Sequence, residues 1–319
     1  MWNFPLFPER ASTGAHDVDF VFFCVMLVIL FFLGLILSLF VTFLIRYRRG
    51  TKVNRSEPPD TNLKIEVAWV VIPLIISILL YVLATSVFFR LYRAPGDAYV
   101  VNVVGKRWMF TLQHPEGKRE INELHVPIGR PVQLQMISQD VIHSFFVPAF
   151  RTKQDLLPGR YTTLWFEPTK VGKYHLFCAE YCGTNHSRMA GSVYVMEPAD
   201  YERWLEVGGS NITLAKQGEA LFQARHCGGC HGPSQAVRAP LLDGVYGSQV
   251  PVLREGDKVP HFVAADQRYI RDSILEPKKE IVAGYEPLMP SYRDQLGEDD
   301  LLKLIAYIKS IGLGKEAAR

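Results

Sequence analysis

Residues 175–189 read HLFCAEYCGTNHSRM and place several possible metal ligands in one short stretch. Cys178 and Cys182 are four positions apart, His186 follows four positions later, and Met189 follows three positions after that. Thiolate, imidazole and thioether are the ligands that copper prefers in electron-transfer sites. One copper ion of this kind needs one cysteine, whereas two thiolates can bridge two ions. Because His143 offers a second imidazole upstream, the sequence predicts a dinuclear copper site.

The same residues allow three other interpretations. Cys178 and Cys182 could form a disulfide, as exported domains often do. They could instead bind structural zinc together with two histidines, although a methionine and aromatic surroundings are not typical of zinc sites. Met189 could simply be a core residue, because methionine fills irregular gaps well. The combination of all these residue types favours copper over each alternative.

At these positions the chain resembles the cytochrome c oxidase subunit II family, in the pattern C-x-E-x-C-G-x-N-H-x-x-M of its dinuclear copper (CuA) loop. Residues 140–148 and 153–160 are similar to an upstream ligand strand and loop of the same family. The resemblance covers about residues 15–205. It implies that the thiolates of Cys178 and Cys182 bridge the two ions and that the imidazoles of His143 and His186 are terminal ligands. It also implies that Met189 is a weak axial ligand and that the Glu180 backbone carbonyl is a further ligand.

Length and composition set the frame for the rest of the chain. The 319 residues suggest two or three domains. A net charge of +3 is too small to indicate a nucleic-acid partner, and we expect none. Five cysteines are too few for a disulfide scaffold, and four of them have metal-type or haem-type spacings. The fifth, Cys24, lies in an apolar run and is predicted to pack without a chemical role.

Two uncharged apolar runs, residues 20–45 and 67–89, predict a hairpin of two transmembrane helices. The first run would span about 39 Å as a helix, which exceeds a hydrocarbon core of about 30 Å. A cleaved signal peptide would have a shorter apolar region after a positive start. The N-terminus offers only Glu9 and Arg10, so we expect a retained helix. Pro73 interrupts the second run, which neighbouring membrane helices can accommodate.

The loop between the two runs is rich in basic residues. By the positive-inside rule this loop is cytoplasmic. Both termini and both soluble domains then face the periplasmic or outer side of a bacterial inner membrane, where we expect copper loading and haem attachment. The basic residues are Arg46, Arg48, Arg49, Lys52, Arg55 and Lys64.

Residues 96–207 predict a β-sandwich. Residues 132–136 alternate apolar and polar side chains, which is typical of a strand with one buried face. Frequent turns between such runs indicate an antiparallel sandwich, and the family resemblance implies an all-β greek-key cupredoxin fold. Similar runs occur at residues 99–104, 108–113, 161–166, 173–177 and 192–196.

The resemblance also implies roles for four side chains that are not ligands of the copper pair. Glu66 begins the family's E-x-x-W-x-x-x-P pattern and matches the residue where protons enter the K-path of subunit I; alone, it reads as a carboxylate at the headgroup level. Trp108 matches the residue where electrons from cytochrome c enter; alone, it reads as a sandwich-core tryptophan. The Glu180 side chain matches a magnesium ligand at the boundary with subunit I, and Asp155 a position facing that subunit.

Residues 226–231 read HCGGCH and contain the Cys-x-x-Cys-His signature of c-type haem attachment. The thiols of Cys227 and Cys230 would form thioethers with the haem vinyl groups, and His231 would bind the iron. A thioredoxin-like redox pair would need a surrounding βαβ pattern, which the sequence lacks. A zinc site is the remaining alternative.

The downstream sequence supports a class I cytochrome c domain, which is all-α. Residues 215–222 and 299–309 predict the first and last helices that pack across each other in that family. Met289 is the expected sixth iron ligand, with His261 as the competing candidate; His/Met ligation raises the reduction potential. Pro240 is expected to orient the proximal histidine through its carbonyl.

These segments divide the chain into a membrane hairpin, a cupredoxin domain, a linker and a haem domain. The predicted ranges are residues 1–95, 96–207, 208–212 and 213–319. Nearly the whole chain then resembles the subunit II of caa-type cytochrome c oxidases, in which a cytochrome c domain is fused to the copper domain.

This resemblance implies the subunit through which electrons enter a terminal oxidase of the respiratory chain. Electrons from quinol–cytochrome c reductase or a small cytochrome c would pass from haem c to CuA and on to subunit I, which reduces dioxygen and pumps protons. Subunit I would hold the haem and copper of the oxygen site, and subunit III would be a further partner. The alternatives are a subunit of a CuA-containing nitric oxide reductase and a membrane-tethered redox carrier or copper-delivery protein.

Overall fold

A pair of long apolar helices precedes the two soluble parts of the chain. We describe a computed structural model in which residues 7–54, 61–207, 213–232, 239–257 and 259–311 are placed. Arg55 of the basic loop and the predicted linker lie outside these ranges. Helix α1 spans Thr13–Arg46 and helix α2 spans Leu63–Tyr92. Both are long and apolar enough to cross a membrane, and their apolar windows are not buried within the protein.

Both helices extend beyond the apolar runs because polar residues continue them at their ends. At the start of α2, the Asn62 side chain accepts a hydrogen bond from the backbone N–H of Ile65 at 3.4 Å. The Glu66 carboxylate in turn accepts one from the backbone N–H of Asn62 at 3.0 Å. Such reciprocal bonds satisfy N–H groups that have no partner within the helix.

A buried ion-pair cluster attaches the β-domain to the start of α1. Asp19 is 6% exposed and accepts hydrogen bonds from Arg10 at 2.7 Å and from Arg151 at 2.8 Å. Arg151 follows the short 3-10 turn Pro148–Phe150 and has a left-handed backbone conformation (φ 55°). It also donates to the Pro148 carbonyl at 2.7 Å. This shared carboxylate acts together with backbone contacts, such as the hydrogen bond from Ala11 N–H to the Ala149 carbonyl at 3.0 Å.

The middle of the chain is a sandwich of two five-stranded sheets, with strand orders β3-β2-β1-β5-β8 and β4-β10-β9-β6-β7. The pairs β1–β5 and β4–β10 are parallel and the other pairs of the two sheets antiparallel, so the sandwich is mainly rather than entirely antiparallel. The strands are β1 (Tyr99–Lys106), β2 (Met109–Gln113), β3 (Arg119–Ile121), β4 (Glu123–Pro127), β5 (Val132–Ser138), β6 (His143–Val147), β7 (Thr152–Leu156), β8 (Thr162–Phe166), β9 (Gly172–Cys178) and β10 (Ala190–Met196).

The sandwich core lies between the two sheets and is formed by every second side chain along each strand. Val103 and Met136 of the first sheet and Phe145 and Leu176 of the second are all fully buried in one cluster. Because neighbouring residues in a strand face opposite sides, this pattern leaves the outer face of each sheet available for other contacts. The predicted β-sandwich is confirmed, and its rigid core fixes the strand ends that carry the metal-ligand candidates.

The C-terminal part is mainly helical, as predicted, but also contains a small sheet that was not predicted. Helix α4 packs across α7 at Gly218, where a methyl group would lie 1.9 Å from the Lys303 carbonyl oxygen. Only glycine allows this approach. The elements are α3 (Pro198–Glu206), which precedes this part, then α4 (Leu214–Ala224), α5 (Gly228–His231), β11 (Gln249–Leu253), β12 (His261–Ala264), α6 (Gln267–Leu275), β13 (Ile281–Val282) and α7 (Glu298–Ser310).

Candidate metal and haem sites

Two free thiols form the centre of the candidate metal site. Cys178 ends β9, Cys182 lies in the following loop, and both side chains are buried. Their sulfur atoms are 3.8 Å apart, well beyond a disulfide bond of about 2.05 Å. A metal ion bound to both sulfurs must lie at least half of this separation from each, and that half is shorter than a typical metal–thiolate bond of about 2.3 Å. Both sulfurs can therefore reach the same metal ion, and a second ion can occupy the other side of the pair.

His143 reaches the thiols from the neighbouring strand β6. Phe145 of β6 pairs with Cys178 of β9, which brings the start of β6 close to the end of β9. The ligand atoms of His143, Cys178 and Cys182 lie within 4.8 Å of one another. The imidazole is fully buried, and among the described residues its Nδ1 atom has no partner at hydrogen-bonding geometry. A buried nitrogen that lacks such a partner beside two thiols fits a metal ligand.

The loop supplies the remaining predicted donors. His186 Nδ1 lies 3.5 Å and Met189 Sδ 3.7 Å from the Cys182 sulfur. The Glu180 carbonyl oxygen lies 3.3 Å from the Cys178 sulfur. The loop is closed by a backbone hydrogen bond from Cys178 N–H to the Met189 carbonyl at 3.0 Å. All six predicted donors therefore converge around the two sulfurs.

The two thiols differ in acidity before any metal binds. Burial opposes ionisation of Cys178, but the adjacent His143 imidazole and hydrogen bonds with backbone groups outweigh burial and lower the pKa of this thiol to about 6. Burial and the neighbouring Cys178 raise the pKa of the Cys182 thiol to about 12. Because metal ligands must be deprotonated, binding two ions across both sulfurs releases the Cys182 proton.

Asp140 orients the buried imidazole, a role that the sequence analysis did not assign to it. Its carboxylate lies 2.8 Å from His143 Nε2 and also accepts a hydrogen bond from the Arg107 backbone N–H at 2.8 Å. A carboxylate on one ring nitrogen fixes the tautomer and directs the other nitrogen toward the metal. The spacing of three residues from His143 was the available sequence signal.

Three other predicted side chains, those of Trp108, Glu180 and Asp155, are not part of the donor cluster. Trp108 is half-buried, and its indole lies 3.4 Å from the position that a methyl group on Gly183 would take. The Glu180 side chain is exposed. Asp155 accepts hydrogen bonds from Ser144 at 2.7 Å and from Lys153 at 3.0 Å.

Glu66 lies apart from the donor cluster, in the first turn of α2. Its carboxylate accepts the backbone hydrogen bond from Asn62 described above. This contact gives Glu66 a helix-capping role in addition to the proton-related role that the resemblance implies.

The candidate haem site is a cavity of about 430 Å³ in the C-terminal part, lined mainly by apolar side chains. Cys227, Cys230, His231 and Met289 all line it, so the structure brings the attachment motif and the expected sixth ligand together. A large apolar cavity with a few polar groups is typical of a site for an organic cofactor.

The immediate surroundings of the motif also fit haem. The His231 Nδ1 atom lies 2.8 Å from the Pro240 carbonyl oxygen, as expected for an oriented proximal histidine. The competing candidate His261 is not among the cavity-lining residues and lies 3.3 Å from the Asp257 carboxylate. The cavity therefore favours Met289 over His261.

Comparison with known proteins finds family models for three successive segments of the chain. Models of three families match it: the transmembrane domain of cytochrome c oxidase subunit II over residues 1–87, the periplasmic domain of that subunit over residues 116–196, and subunit III of cbb3-type cytochrome c oxidase over residues 213–308. The last match falls on the predicted haem domain.

Individual relatives have the same family name. Cytochrome c oxidase subunit 2 of Alkalihalophilus pseudofirmus is 29% identical, with 86% of this chain and 82% of the relative covered. Cytochrome c oxidase subunit 2 of Thermostichus vulcanus is 34% identical, with 62% and 77% covered. The crystal structure of the periplasmic domain of subunit II of cytochrome oxidase from Bradyrhizobium japonicum is 28% identical, with 36% of this chain and 95% of that chain covered and a TM-score of 0.35.

Proposed function

Because this chain belongs to the cytochrome c oxidase subunit II family and carries a fused cytochrome c domain, we propose that it is the subunit through which electrons enter a haem–copper terminal oxidase. The observation that carries this proposal is the convergence of the other four predicted donors around Cys178 and Cys182, in the same chain as an apolar cavity lined by Cys227, Cys230 and His231. The relatives named above are oxidase subunits, which favours an oxidase over a nitric oxide reductase or a tethered carrier.

In this proposal the donor cluster holds the CuA pair. The thiolates of Cys178 and Cys182, the imidazoles of His143 and His186, the Met189 thioether and the Glu180 carbonyl would hold the two ions. A copper pair supplies a one-electron couple whose charge is shared between two ions. The sandwich keeps the ligands at the ends of stiff strands, so that they move little when the charge changes and the reorganisation cost stays small.

The cavity of the C-terminal part would hold haem c. Cys227 and Cys230 provide the covalent attachment, His231 and Met289 the axial ligands, and the Pro240 carbonyl keeps the imidazole oriented. Haem supplies a second one-electron couple, and the apolar lining and the thioether ligand would raise its reduction potential. Each residue of this set lies in or next to the same cavity.

We further propose the order of electron transfer. An external donor, either a quinol–cytochrome c reductase or a small cytochrome c, reduces the haem domain. The haem domain reduces the copper domain, which passes the electrons to subunit I. Oxygen reduction and proton pumping occur in subunit I, and subunit III completes the complex. Association with subunit I and with the membrane follows from the family.

We propose separate roles for Glu66, the Glu180 side chain and Trp108. Glu66 would deliver protons near the cytoplasmic end of the hairpin, with its capping bond to Asn62 holding it in place. The exposed Glu180 carboxylate would be free to bind magnesium contributed at the boundary with subunit I. Trp108, packed on the metal loop, would be a second entry point, at which a soluble cytochrome reduces the copper domain directly.

The proposed topology is a bacterial inner-membrane protein with two spans. Helices α1 and α2 cross the membrane, the basic loop around Arg48 lies in the cytoplasm, and both soluble domains lie on the periplasmic side. This orientation exposes the thiols of both sites to the compartment in which c-type haem is attached.

Removal of the haem thiols tests the proposed relay. We expect the Cys227→Ser/Cys230→Ser double variant to lack covalent haem and to retain the copper signal. Its quinol-dependent oxygen uptake should fall at least about tenfold, because the fused domain supplies electrons at a millimolar effective concentration. The measurement uses membranes in which this complex is the sole terminal oxidase, and Cys24→Ser is the matched control. A haem-free variant with full quinol-dependent uptake would contradict the proposed order.

A further inference from the structure

The haem domain contacts the outer face of the first sheet through a small buried cluster. Val104 of β1, Ile137 of β5 and Leu302 of α7 are each at most 3% exposed, and Tyr161 packs against them. Val104 and Ile137 are direct register partners in the parallel pair β1–β5. Their neighbours Val103 and Met136 point into the sandwich core, so Val104 and Ile137 face outward. An outward apolar pair is thus covered by a helix of another domain.

Polar groups surround this apolar contact. Glu298, in the first turn of α7, is 8% exposed and accepts a hydrogen bond from Arg271 Nε of α6 at 3.2 Å. The buried Tyr161 hydroxyl lies beside this ion pair and beside Gln267 of α6. At the rim, Arg119 of β3 forms an ion pair with Asp299 at 2.8 Å.

Paired charges next to an apolar cluster favour one orientation of the two surfaces, because any other orientation leaves a charge buried without its partner.

Helices α6 and α7 each have one face toward the haem cavity and another toward the sheet. Ile270 and Ile274 of α6 line the cavity, whereas Arg271 of the same helix lies beside Tyr161. Leu304 of α7 lines the cavity, whereas Leu302 covers Val104. A helix with its side chains is about 10–12 Å across, so a single helical layer separates the haem cavity from the sheet.

The copper site lies directly behind the covered strand. Gly105 follows Val104, and a methyl group on Gly105 would lie 3.1 Å from His143 Cδ2. The His143 ring therefore rests against the backbone of the residue next to the interdomain contact. The described contacts of this interface do not include Trp108, which instead packs against Gly183 of the metal loop.

We propose that this contact, defined by Val104, Ile137, Tyr161, Arg271, Glu298 and Leu302, is a permanent docking interface for the haem domain. It holds the haem cavity over the strand that supports His143, and it makes that strand the internal junction between the two redox sites. The inference rests on the proposed function, in which the cavity holds haem and the loop holds copper. One electron crosses the junction in each transfer, the haem site is oxidised as the copper site is reduced, and no bond or proton is exchanged.

Substitution of Leu302 by Asp tests the interface in the full-length holo-complex. A carboxylate placed against Val104 and Ile137 loses its hydration without gaining a partner, which disfavours the docked state. Leu302 is not among the cavity-lining residues, so the covalent haem and its visible spectrum should be retained. Val259→Asp, at a position of the haem domain that is 75% exposed, is the matched control.

Two readouts are expected to change together. Amide hydrogen exchange in the peptides that contain Val104 and Ile137 should become faster in Leu302→Asp than in Val259→Asp. The internal rate of electron transfer from haem c to copper after flash reduction should fall at least about tenfold, in proportion to the lost docked population. Copper and haem contents should equal those of the control.

The outcomes separate this inference from the proposed function. If both cofactors are present and Leu302→Asp changes neither the exchange nor the internal rate, the docking interface is refuted while the proposed function stands. If copper or haem is absent from the unmodified complex, the proposed function is refuted and this inference with it. A variant that undocks by hydrogen exchange but keeps its internal rate refutes the assigned junction.

Discussion

At the scale of single residues, the metal site depends on residues that are not themselves metal ligands. Asp140 holds the Nε2 side of His143, and Gly105 leaves room for the same ring because any larger residue would meet it. The sequence predicted the ligands since five of the six lie within one loop. It did not predict Asp140 or Gly105 as positioning residues, because their contacts depend on how β1 and β6 are placed by the folded sandwich.

The Asp140–His143 contact makes a direct prediction. We expect Asp140→Ala to lower copper affinity about 10- to 100-fold, the usual effect of removing a carboxylate that orients a histidine ligand. Competition with a chelator of known affinity measures the change. Asp97→Ala, which removes an exposed carboxylate, serves as control. Equal copper affinity in the two variants would show that Asp140 does not position the ligand.

At the scale of secondary-structure elements, regular alternation was predictable and irregular strands were not. Residues 132–136 alternate strictly and form β5 as predicted. Periodicity did not predict β6 and β7, because HSFFV is almost continuously apolar and TKQDL is almost entirely polar. Only the family resemblance implied a strand within residues 140–148. Pairing with neighbouring strands, rather than local pattern, determines their conformation. The small sheet of the haem domain was not predicted for the same reason.

The crossing of α4 and α7 makes a prediction about folding of the haem domain. A methyl group on Gly218 would lie 1.9 Å from the Lys303 carbonyl oxygen and 2.8 Å from Tyr307 Cβ, so the helices must separate. We expect Gly218→Ala to destabilise this domain by about 1–3 kcal/mol or more. Thermal unfolding monitored through the haem absorption measures the effect.

Gly96→Ala is the matched control, since no atom lies within 4 Å of its added methyl group. Equal unfolding temperatures for the two variants would contradict the close crossing.

A buried carboxylate connects three elements of the β-domain and makes its stability depend on pH. Glu120 of β3 lies 2.8 Å from His114, after β2, and 2.5 Å from His125 of β4. Burial acts to raise the pKa of Glu120, but the hydrogen bonds from both histidines outweigh burial and hold it below its ordinary value of 4.5. A carboxyl with a lowered pKa in the folded state stabilises the fold fully above its ordinary pKa, and this contribution is lost as the pH falls toward the lowered value.

We therefore expect the unfolding temperature of the chain to fall as the pH decreases below about 4.5. The fall should be smaller in Glu120→Gln, which cannot gain the proton. Near-ultraviolet circular dichroism of the detergent-solubilised chain measures unfolding, and Glu202→Gln, at an exposed position, is the control. Parallel pH profiles for Glu120→Gln and the unmodified chain would assign the acid sensitivity to other carboxylates.

At the scale of the whole molecule, the chain connects three parts through a few specific contacts. Asp19 joins the hairpin to the β-domain through Arg151, and Leu302 joins the haem domain to the outer sheet face. The sequence predicted the parts themselves, because apolar runs, alternation and the Cys-x-x-Cys-His motif are local signals. It could not predict the contacts between the parts, which join residues more than a hundred positions apart. The predicted domain boundaries, including the linker 208–212, stay predictions.

The proposed function requires that Cys178 and Cys182 bridge two copper ions in the functional complex. Electron paramagnetic resonance of the oxidised, purified complex, combined with a copper count, tests it most directly. We expect one unpaired electron with equal hyperfine coupling to two copper nuclei, and loss of that signal in Cys182→Ser. Coupling to a single copper nucleus, or recovery of these two thiols as cystine from active complex that holds no copper, would contradict it.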